Sequence, residues 1–523
     1  MGQKNGTKKF IIQGGILAMA GILVRIIGLL YRIPMVNIIK SDGMAIYGPA
    51  FNVYGIVLVM SSYGLPMAVS KLVSARVSVK QYKNAHKVFV SALVVSLVSG
   101  GIAALLMFFG ADFLEQHFYT QNAGIAIPLK VLSPTIFIVA VLGVFRGFYQ
   151  GQGTTIPTAI SQIAEQIVNA IVSVFAAYML VKVYRGSVNI GAYGAAGGTL
   201  GTAIGAFTAL LFMIFLYVIY RPTFLKKMHN DISDADEKYT SIYKIIALTM
   251  IPIILGQTFY QISAVIDDIM FGAIMHSIGV SKAMIGDSLG TYNSTFMILI
   301  SLPMGVASAM SASMLPSIVA SKAKHMYSEI TSKIHATVKA NMFIAIPSAV
   351  GLIVLGKSII QVLFPAFNSG NGSMMLKIGA LAVVFYTLST VTSSALQGID
   401  KMNIPVINSC ISLIVHIILV WSLLTFTNLG IYAIVIGSET FPIIILILNL
   451  IALYKYIEYK QEVLITFGIP LLCSIIMGIT SGLIYKLIML LCGINLVSLL
   501  FAGAAAAAGY FLPIILFKKK GIY

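Results

Sequence analysis

The chain has 523 residues, of which 59% are hydrophobic and only 10% are charged, and its mean hydropathy is +0.96. Since a soluble domain carries roughly 25% charged residues, this composition excludes a water-soluble globular protein. The net charge of +18 would suit a nucleic-acid partner, but the basic residues are distributed as in a membrane protein, and no nucleic acid is expected.

The elements that the sequence predicts are helices that cross a membrane. Runs of about 20 apolar residues satisfy their own backbone in lipid as helices, and these runs do not alternate as the strands of a β-barrel would. We predict an all-α integral membrane protein with about fourteen transmembrane helices, arranged as two six-helix lobes plus two C-terminal helices. The spans begin near Phe10, Ala45, Val88, Gly124, Pro157, Ala195, Tyr243, Leu289, Ile334, Met375, Ile404, Ile431, Leu464 and Asn495.

The first span follows Lys4, Lys8 and Lys9, but it is too long for a signal peptide and lacks a small-residue cleavage site, so we expect a retained helix. With the N-terminus inside, 24 of the 34 Lys and Arg residues fall on the cytoplasmic side and eight on the outer side. This excess predicts a multi-pass protein with both termini in the cytoplasm. It also predicts attraction to anionic membrane lipids.

Two arginines within the first span, Arg25 and Arg32, are the sharpest functional signal. A cation at bilayer depth is costly unless it faces a wet cavity or a partner. Seven residues place the two on one helix face, about 10 Å apart along the axis. Two guanidinium groups on one face suit a diphosphate, which arginine grips with paired hydrogen bonds. The alternatives are snorkelling to the membrane surface or a structural ion pair.

The fifth span carries a polar stripe at helical spacing, which consists of Gln162, Glu165, Gln166 and Asn169. A carboxylate in such a stripe implies either a cavity that meets the substrate or a structural hydrogen-bonding partner. The sixth span carries glycines at small-xxx-small spacing, which predicts close helix packing; they are Gly194, Gly197, Gly198, Gly201 and Gly205. The acidic residues that follow, Asp231, Asp234, Asp236 and Glu237, lack the spacing of a calcium loop and are expected to form a solvated patch.

The chain also repeats itself, since residues 65–70 resemble residues 302–307, and the Gln-Gly pair at 150–151 recurs at 397–398. A parallel duplication is typical of transporters, whose substrate path lies between the halves. The predicted organisation is an N-lobe at 1–220, a cytoplasmic linker at 221–242, a C-lobe at 243–456 and the last two spans at 457–523.

The seventh span and the later spans supply further polar candidates. Gln257, Gln261 and Asp268 share one helix face, with Tyr260, Ser263 and Asp267 beside them. The paired acids could hold a sodium ion or a proton, or could answer the arginines. The predicted substrate-binding residues are Arg25, Arg32, Asn52, Gln162, Glu165, Gln166, Asn169, Gln257 and Gln261, and the candidates for a coupling ion are Asp267, Asp268, Asn408 and Glu439.

No pattern in the chain predicts a catalytic site, a resident metal or a cofactor. Cys410, Cys473 and Cys492 lie in apolar stretches without ligand spacing and are expected to be buried small hydrophobes. No nucleophile–base pattern or Walker loop occurs, and no large soluble segment of the kind that a membrane glycosyltransferase would need is present. The sequence therefore favours a transporter over an enzyme.

The segment from Arg146 to Gly151, followed by Pro157, Ser161-Gln162 and Glu165-Gln166, resembles the polysaccharide-transport and stage V sporulation protein B group. This group belongs to the multidrug/oligosaccharidyl-lipid/polysaccharide (MOP) exporter superfamily and includes the MurJ-like lipid II flippases of bacteria. The resemblance implies a V-shaped fold of fourteen helices, a cationic central cavity and alternating access, and its first-helix arginines match Arg25 and Arg32. The chain departs from the MurJ pattern because residues 61–64 and 293–295 lack the expected charged residues.

The resulting expectation is a flippase in the bacterial cytoplasmic membrane that moves an undecaprenyl-diphosphate-linked oligosaccharide, with lipid II as the leading cargo. The membrane potential, Na⁺ or H⁺ would drive it, and the cell-wall synthesis machinery is a further expected partner. The alternatives are a cation-coupled multidrug or small-molecule exporter, a flippase for a capsule, teichoic or O-antigen-type glycan, and a non-transporting partner in sporulation.

Overall fold

The computed structural model describes residues 2–121, 123–231, 237–323, 325–367 and 369–519, and the regular structure in these ranges is helical. Sixteen α-helices are interrupted by three short π-helical segments at Val59–Tyr63, Tyr292–Phe296 and Leu464–Gly468 among these described residues. The helices are α1 Gly2–Leu58, α2 Leu65–Ser78, α3 Tyr82–His117, α4 Ala126–Gly151, α5 Ile156–Val183, α6 Ile190–His229, α7 Tyr239–Ser277, α8 Lys282–Thr291, α9 Met297–Ala323, α10 Tyr327–Leu363, α11 Ser369–Gly379, α12 Ala382–Gly398, α13 Asn403–Phe426, α14 Ile431–Ile457, α15 Ile469–Cys492 and α16 Asn495–Lys519.

Within these ranges, ten helices are long and apolar enough to cross a membrane, and the bent pair of α11 and α12 makes eleven. The first of them runs from Met19 to Ser78, and its 60 residues exceed one span. It is broken at Lys40, whose backbone is not helical, with φ 57° and ψ −167°. The prediction of an all-α membrane protein is confirmed, and the helix count is roughly consistent with fourteen spans.

The described residues divide into two compact units, Met1–Ile269 and Met270–Tyr523. The first unit has an apolar core in which Phe89 packs between Phe145 and Phe148, with ring centroids 5.4 and 4.5 Å away. Ile242 and Ile246 of α7 belong to the same core. The sequence repeat places the start of the second half at residue 243, whereas the first compact unit extends to Ile269. The boundaries differ because the start of α7 packs with the helices that precede it.

The glycines of α6 allow α5 and α6 to pack with their backbones in contact. A Cβ atom at Gly197 would lie 2.6 Å from the backbone of Ala177, and one at Gly201 would lie 2.5 Å from the amide nitrogen of Ser173. No side chain fits at such distances without moving a helix. The prediction of close helix packing from the small-residue spacing is confirmed.

The acidic segment after α6 is partly buried, and the expectation of a solvated patch is wrong for Asp231 and Glu237. Glu237 forms a two-point ion pair with Arg76, in which the Nε–Oε1 distance is 2.8 Å. Asp231 is buried and accepts a hydrogen bond of 2.8 Å from the backbone N–H of Lys83. Both carboxylates therefore bind groups on α2 and α3 within the first unit and do not form a solvated patch. Asp234 and Asp236 lie outside the described residues.

The second unit contains a buried network of neutral side chains between α12, α13 and α14. Asn449 donates to Ser393 at 2.9 Å and to Thr392 at 3.1 Å, and its amide oxygen accepts from Asn408 at 2.8 Å. The last two helices, α15 and α16, pack on each other and on α10, where the Tyr510 hydroxyl donates to the carbonyl of Phe343 at 2.8 Å.

The two halves share a local irregularity. A π-helical segment precedes the Leu-Pro-Met motif in each half, at Val59–Tyr63 before Leu65 and at Tyr292–Phe296 before Leu302. Such segments arise where one extra residue is accommodated in a helix, and they are frequent at functional sites. The first segment begins six residues before Leu65 and the second begins ten residues before Leu302, so the two do not occupy equivalent positions in the repeat.

Candidate functional site

The candidate site of the first unit begins with the two arginines on α1. The Arg25 side chain is exposed, and it interacts with the hydroxyl of Tyr63 at the end of the first π-helical segment. Arg32 is partly buried beside Tyr31 and Tyr47. Its Nε has no hydrogen-bond partner among the described residues, although it is buried. A buried donor without an acceptor is costly, so this position is suited to an anionic ligand.

A polar shell from the neighbouring helices surrounds the arginine face. Gln166 of α5 packs on Gly28, so its amide lies against α1 between the levels of Arg25 and Arg32. The Asn169 amide lies 3.4 Å from the Tyr31 hydroxyl, and it accepts a hydrogen bond of 2.8 Å from Ser173. Asn169 is therefore buried between α1 and α5, where its amide is engaged by Tyr31 and Ser173 and holds the two helices together beside the site.

The turn between α4 and α5 determines which residues of the polar stripe meet. α4 ends at Gly151, and the next glycine, Gly153, has a left-handed φ of 81°, which a residue without a Cβ adopts at little cost. Pro157 lies in the first turn of α5, where its missing N–H costs nothing. The two helices make few contacts with each other beyond this turn, so only the last turns of α4 meet the first turns of α5.

Glu165 forms an ion pair across this hairpin. Its Oε2 lies 2.7 Å from Nη2 of Arg146, whose Nε donates to the hydroxyl of Ser161 at 2.9 Å. The side chains are 14% exposed for Arg146 and 25% exposed for Glu165. The sequence left two roles open for this carboxylate, contact with the substrate or a structural partner. In the structure it has a structural partner, Arg146. Gln162, one helical turn before Gln166, is partly buried on the same helix.

A second polar group of the first unit joins the latter part of α1 to α7. Asn52 donates a hydrogen bond of 2.7 Å to Asp268, which is only 4% exposed. Gln261 packs against Gly55, where an added Cβ would lie 2.6 Å from its amide nitrogen. Tyr119 also interacts with Asp268. The structure therefore brings Asn52, Gln261 and Asp268 together, with an amide rather than an arginine as the partner of Asp268.

The remaining candidates of the first unit take lesser positions. Asp267 is buried beside Asp268, and Gln257 is partly buried on α7. The side chain of Tyr260 lies outside the described residues. No group of three or more His, Cys, Asp or Glu side chains close enough to hold a metal ion occurs among the side chains that the structure describes.

The two coupling-ion candidates of the second unit lie apart. Asn408 is engaged by Asn449. Glu439 interacts with the backbone N–H groups of Leu381 and Ala382 at the start of α12, and its Oε1 is buried without a hydrogen-bond partner among the described residues. Since Glu439 and Asn449 are ten residues apart on α14, about 15 Å separates them along the helix.

Sequence reasoning missed the residues that partner the predicted ones. Arg146 lies inside α4 and pairs with Glu165. Tyr31 adjoins Arg32 in the sequence, whereas Tyr47 lies beyond the break at Lys40 and carries no local signal, although both lie beside Arg32. The pairing of Asn52 with Asp268 carries no local signal, because the two are 216 residues apart.

Comparison with known proteins identifies the group to which the chain belongs. The model of the family described as polysaccharide biosynthesis protein matches residues 12–322. The chain is 26% identical over 484 residues to the lipid II flippase MurJ of Bacillus subtilis (strain 168), which covers 90% of this chain and 87% of MurJ. It is 22% identical over 466 residues to the stage V sporulation protein B of the same strain, which covers 88% and 87%.

Solved structures show the same fold. A lipid II flippase MurJ in an inward closed conformation aligns with a TM-score of 0.66 at 16% identity, covering 97% of this chain and 99% of that one. An inward-facing multidrug resistance MATE family transporter of the MOP superfamily aligns with a TM-score of 0.65 at 18% identity, covering 85% and 99%. The chain is thus a multi-pass membrane transporter rather than an enzyme, and it belongs to the polysaccharide biosynthesis protein family, with the fold of the MOP superfamily.

Proposed function

We propose that this transporter is a flippase for an undecaprenyl-diphosphate-linked oligosaccharide, and that its cargo is the peptidoglycan precursor lipid II. The observation that carries the proposal is the pair Arg25 and Arg32 on one face of α1, with the buried Nε of Arg32 lacking a protein acceptor among the described residues. The similarity to MurJ over 90% of the chain supports the same cargo.

The chemistry of the site follows from these groups. The two guanidinium groups bind the diphosphate through charge-assisted hydrogen bonds, each contributing about 1.5–3 kcal/mol. The amides of Gln162 and Gln166 meet the sugar next to it, since neutral donors and acceptors suit hydroxyl groups. Arg146 neutralises Glu165, so the stripe presents little net negative charge to the anionic cargo. The lipid tail remains in the bilayer.

Release on the outer side requires a second conformation and an energy source. Asp268 and its neighbour Asp267 are buried acids on α7, and a buried carboxylate that exchanges a cation with water changes the stability of the state in which it is buried. We propose that H⁺ or Na⁺ at this pair, or the membrane potential, drives the return step. Asn408 and Glu439 are weaker candidates, because Asn408 already has an amide partner.

A second candidate function is export of small molecules. It is favoured by the likeness to the MATE transporter and by the neutral side chains in the first two π-helical segments, where Ser61 and Ser62 lie on one and Asn293 on the other. Flippases for other lipid-linked glycans share the diphosphate and would use the same arginines. The cargo is therefore the point that the experiment must decide.

The test is complementation of a Bacillus subtilis strain depleted of its lipid II flippases. The wild-type chain is expected to restore growth, whereas the variant Arg25→Ala/Arg32→Ala is expected to fail at equal membrane abundance. The matched control is Arg185→Ala, which removes an exposed arginine from the turn between α5 and α6. Full rescue by the double variant would remove the arginines from the mechanism. No rescue by the wild type, together with raised drug resistance, would favour the exporter.

A further inference from the structure

The second unit has a cavity at the turn between α12 and α13, beside the end of α14. Its volume is about 330 Å³. It is lined by Asp400, Lys401, Met402, Asn403, Ile404 and Tyr456. None of the residues assigned to cargo or coupling belongs to it, and it lies at the end of the helices rather than at mid-membrane depth.

The cavity carries a positive charge that no carboxylate neutralises among the described residues. Asp400 is paired with Lys322. Lys401 instead lies over the ring of Tyr456, with 4.4 Å from its Nζ to the ring centroid, and Nζ of Lys455 lies 5.9 Å from the same ring. A cation over an aromatic face keeps its charge available to an anion. Two lysines beside one exposed tyrosine therefore form a cationic edge.

The backbone adds to this charge. α13 begins at Asn403, and its capping residue, Met402, provides no side-chain hydrogen bond to the first turn. The start of a helix carries a partial positive charge that favours an anion. The cavity thus combines a helix start with a lysine side chain from the same turn.

Apolar stripes run from the cavity along both adjoining helices. On α13, Ile407, Ile414 and Ile418 are 55–59% exposed and are spaced so that they share a face. On α14, Ile447 and Ile451 are 52% and 61% exposed near the end that adjoins the cavity. In a membrane protein such surfaces contact acyl chains. The polar, cationic cavity suits the phosphate headgroup of a phospholipid, and the two apolar stripes suit its acyl chains.

We propose that this cavity binds the phosphate headgroup of an anionic phospholipid, whose acyl chains lie along α13 and α14. The excess of Lys and Arg on the predicted cytoplasmic side places this lipid in the inner leaflet. A soluble phosphate ester would offer the same polar contacts but would leave both stripes unused. The lipid site does not depend on the identity of the cargo, and it would anchor the second unit at the membrane surface.

The test uses the full-length protein purified with phosphatidylglycerol and phosphatidylcholine and measured by native mass spectrometry. We expect one tightly retained phosphatidylglycerol per chain, with about fivefold weaker retention in Lys401→Gln and in Lys455→Gln, as one surface lysine is worth about that factor. Tyr456→Leu keeps both charges but removes the ring, and it is expected to weaken retention as well. The matched control is Lys486→Gln, which removes an exposed lysine from α15 and should leave retention unchanged.

Two outcomes would overturn the proposal. Equal retention of phosphatidylglycerol by the wild type, Lys401→Gln and Lys486→Gln would show that the lipid binds elsewhere. Displacement of the lipid by millimolar glycerol phosphate, with the same loss in Lys401→Gln, would show that the cavity is a site for a soluble phosphate ester. Because complementation is not the readout, failure here is separate from failure of the proposed flippase function.

Discussion

Replacing Glu165 by leucine would leave the Arg146 guanidinium inside the first unit without its carboxylate. Removing one partner of a buried ion pair costs about 3–5 kcal/mol, and the exposed fractions of 14% and 25% reduce this to about 2 kcal/mol at this partly solvated site. For a unit of this size, such a loss lowers the apparent melting temperature by about 5 °C. Arg146→Leu should have a similar effect, since it leaves Glu165 charged and also removes the hydrogen bond to Ser161.

The double variant Arg146→Leu/Glu165→Leu removes both charges. Its loss of stability should be smaller than the sum of the losses in the two single variants. The assay is thermal unfolding of the purified protein in detergent for the wild type, both single variants and the double variant. The control cycle uses Lys130 and Asp112, an exposed ion pair of the same unit, for which little coupling is expected. Additive losses at Arg146 and Glu165 would refute the ion pair as a stabilising contact.

The same variants distinguish a structural from a functional role of Glu165. If the carboxylate serves only to neutralise Arg146, the double variant should recover flippase activity in the complementation assay together with stability. Recovered stability without recovered activity would instead place the carboxylate in contact with the cargo. The geometry of the pair favours the first result.

Three further predictions follow from other contacts. Breaking the ion pair between Arg76 and Glu237 with Arg76→Met or Glu237→Met should cost about 1–2 kcal/mol, and the double variant should show coupling in thermal unfolding. Gly201→Ala places a Cβ 2.5 Å from a backbone nitrogen and should lower stability by about 1–3 kcal/mol, whereas Gly503→Ala, with nothing within 4 Å, should not, as melting temperatures will show. Desolvation acts to raise the pKa of Glu462, but the hydrogen bonds that its carboxylate accepts at the start of the next helix outweigh this effect and lower the pKa. The carboxylate therefore stabilises the fold at neutral pH, and this stabilisation is lost on acidification through the lowered pKa. Glu462→Gln should abolish this pH-dependent loss in a pH series of unfolding measurements.

The sequence predicts most of the fold because membrane insertion imposes strong local rules. A span must be apolar over about 20 residues and must be helical, so composition alone predicts α3, α5 and α13. Short-range signals also predict the tight packing of α6, since glycine spacing reflects backbone contact. The break at Lys40 lies between the spans predicted to begin near Phe10 and Ala45, although neither glycine nor proline occupies that position.

The candidate site is less predictable, because its partners are chosen by tertiary packing. The sequence identifies Glu165 as an expensive group in the membrane, but it cannot say that Arg146, on the preceding helix, neutralises it. Glu237 was expected to be solvated because it lies in a polar linker, whereas Arg76, 161 residues away, binds it. In both cases the energetic argument requires a partner, and only the three-dimensional structure identifies it.

The central claim is that Arg25 and Arg32 bind the diphosphate of the cargo. The most direct measurement is the affinity of the purified protein for lipid II, compared between the wild type and Arg25→Ala/Arg32→Ala. Loss of two charge-assisted contacts worth about 1.5 kcal/mol each predicts binding weaker by about 100-fold. An affinity within twofold of the wild type, with the double variant folded, would contradict the account.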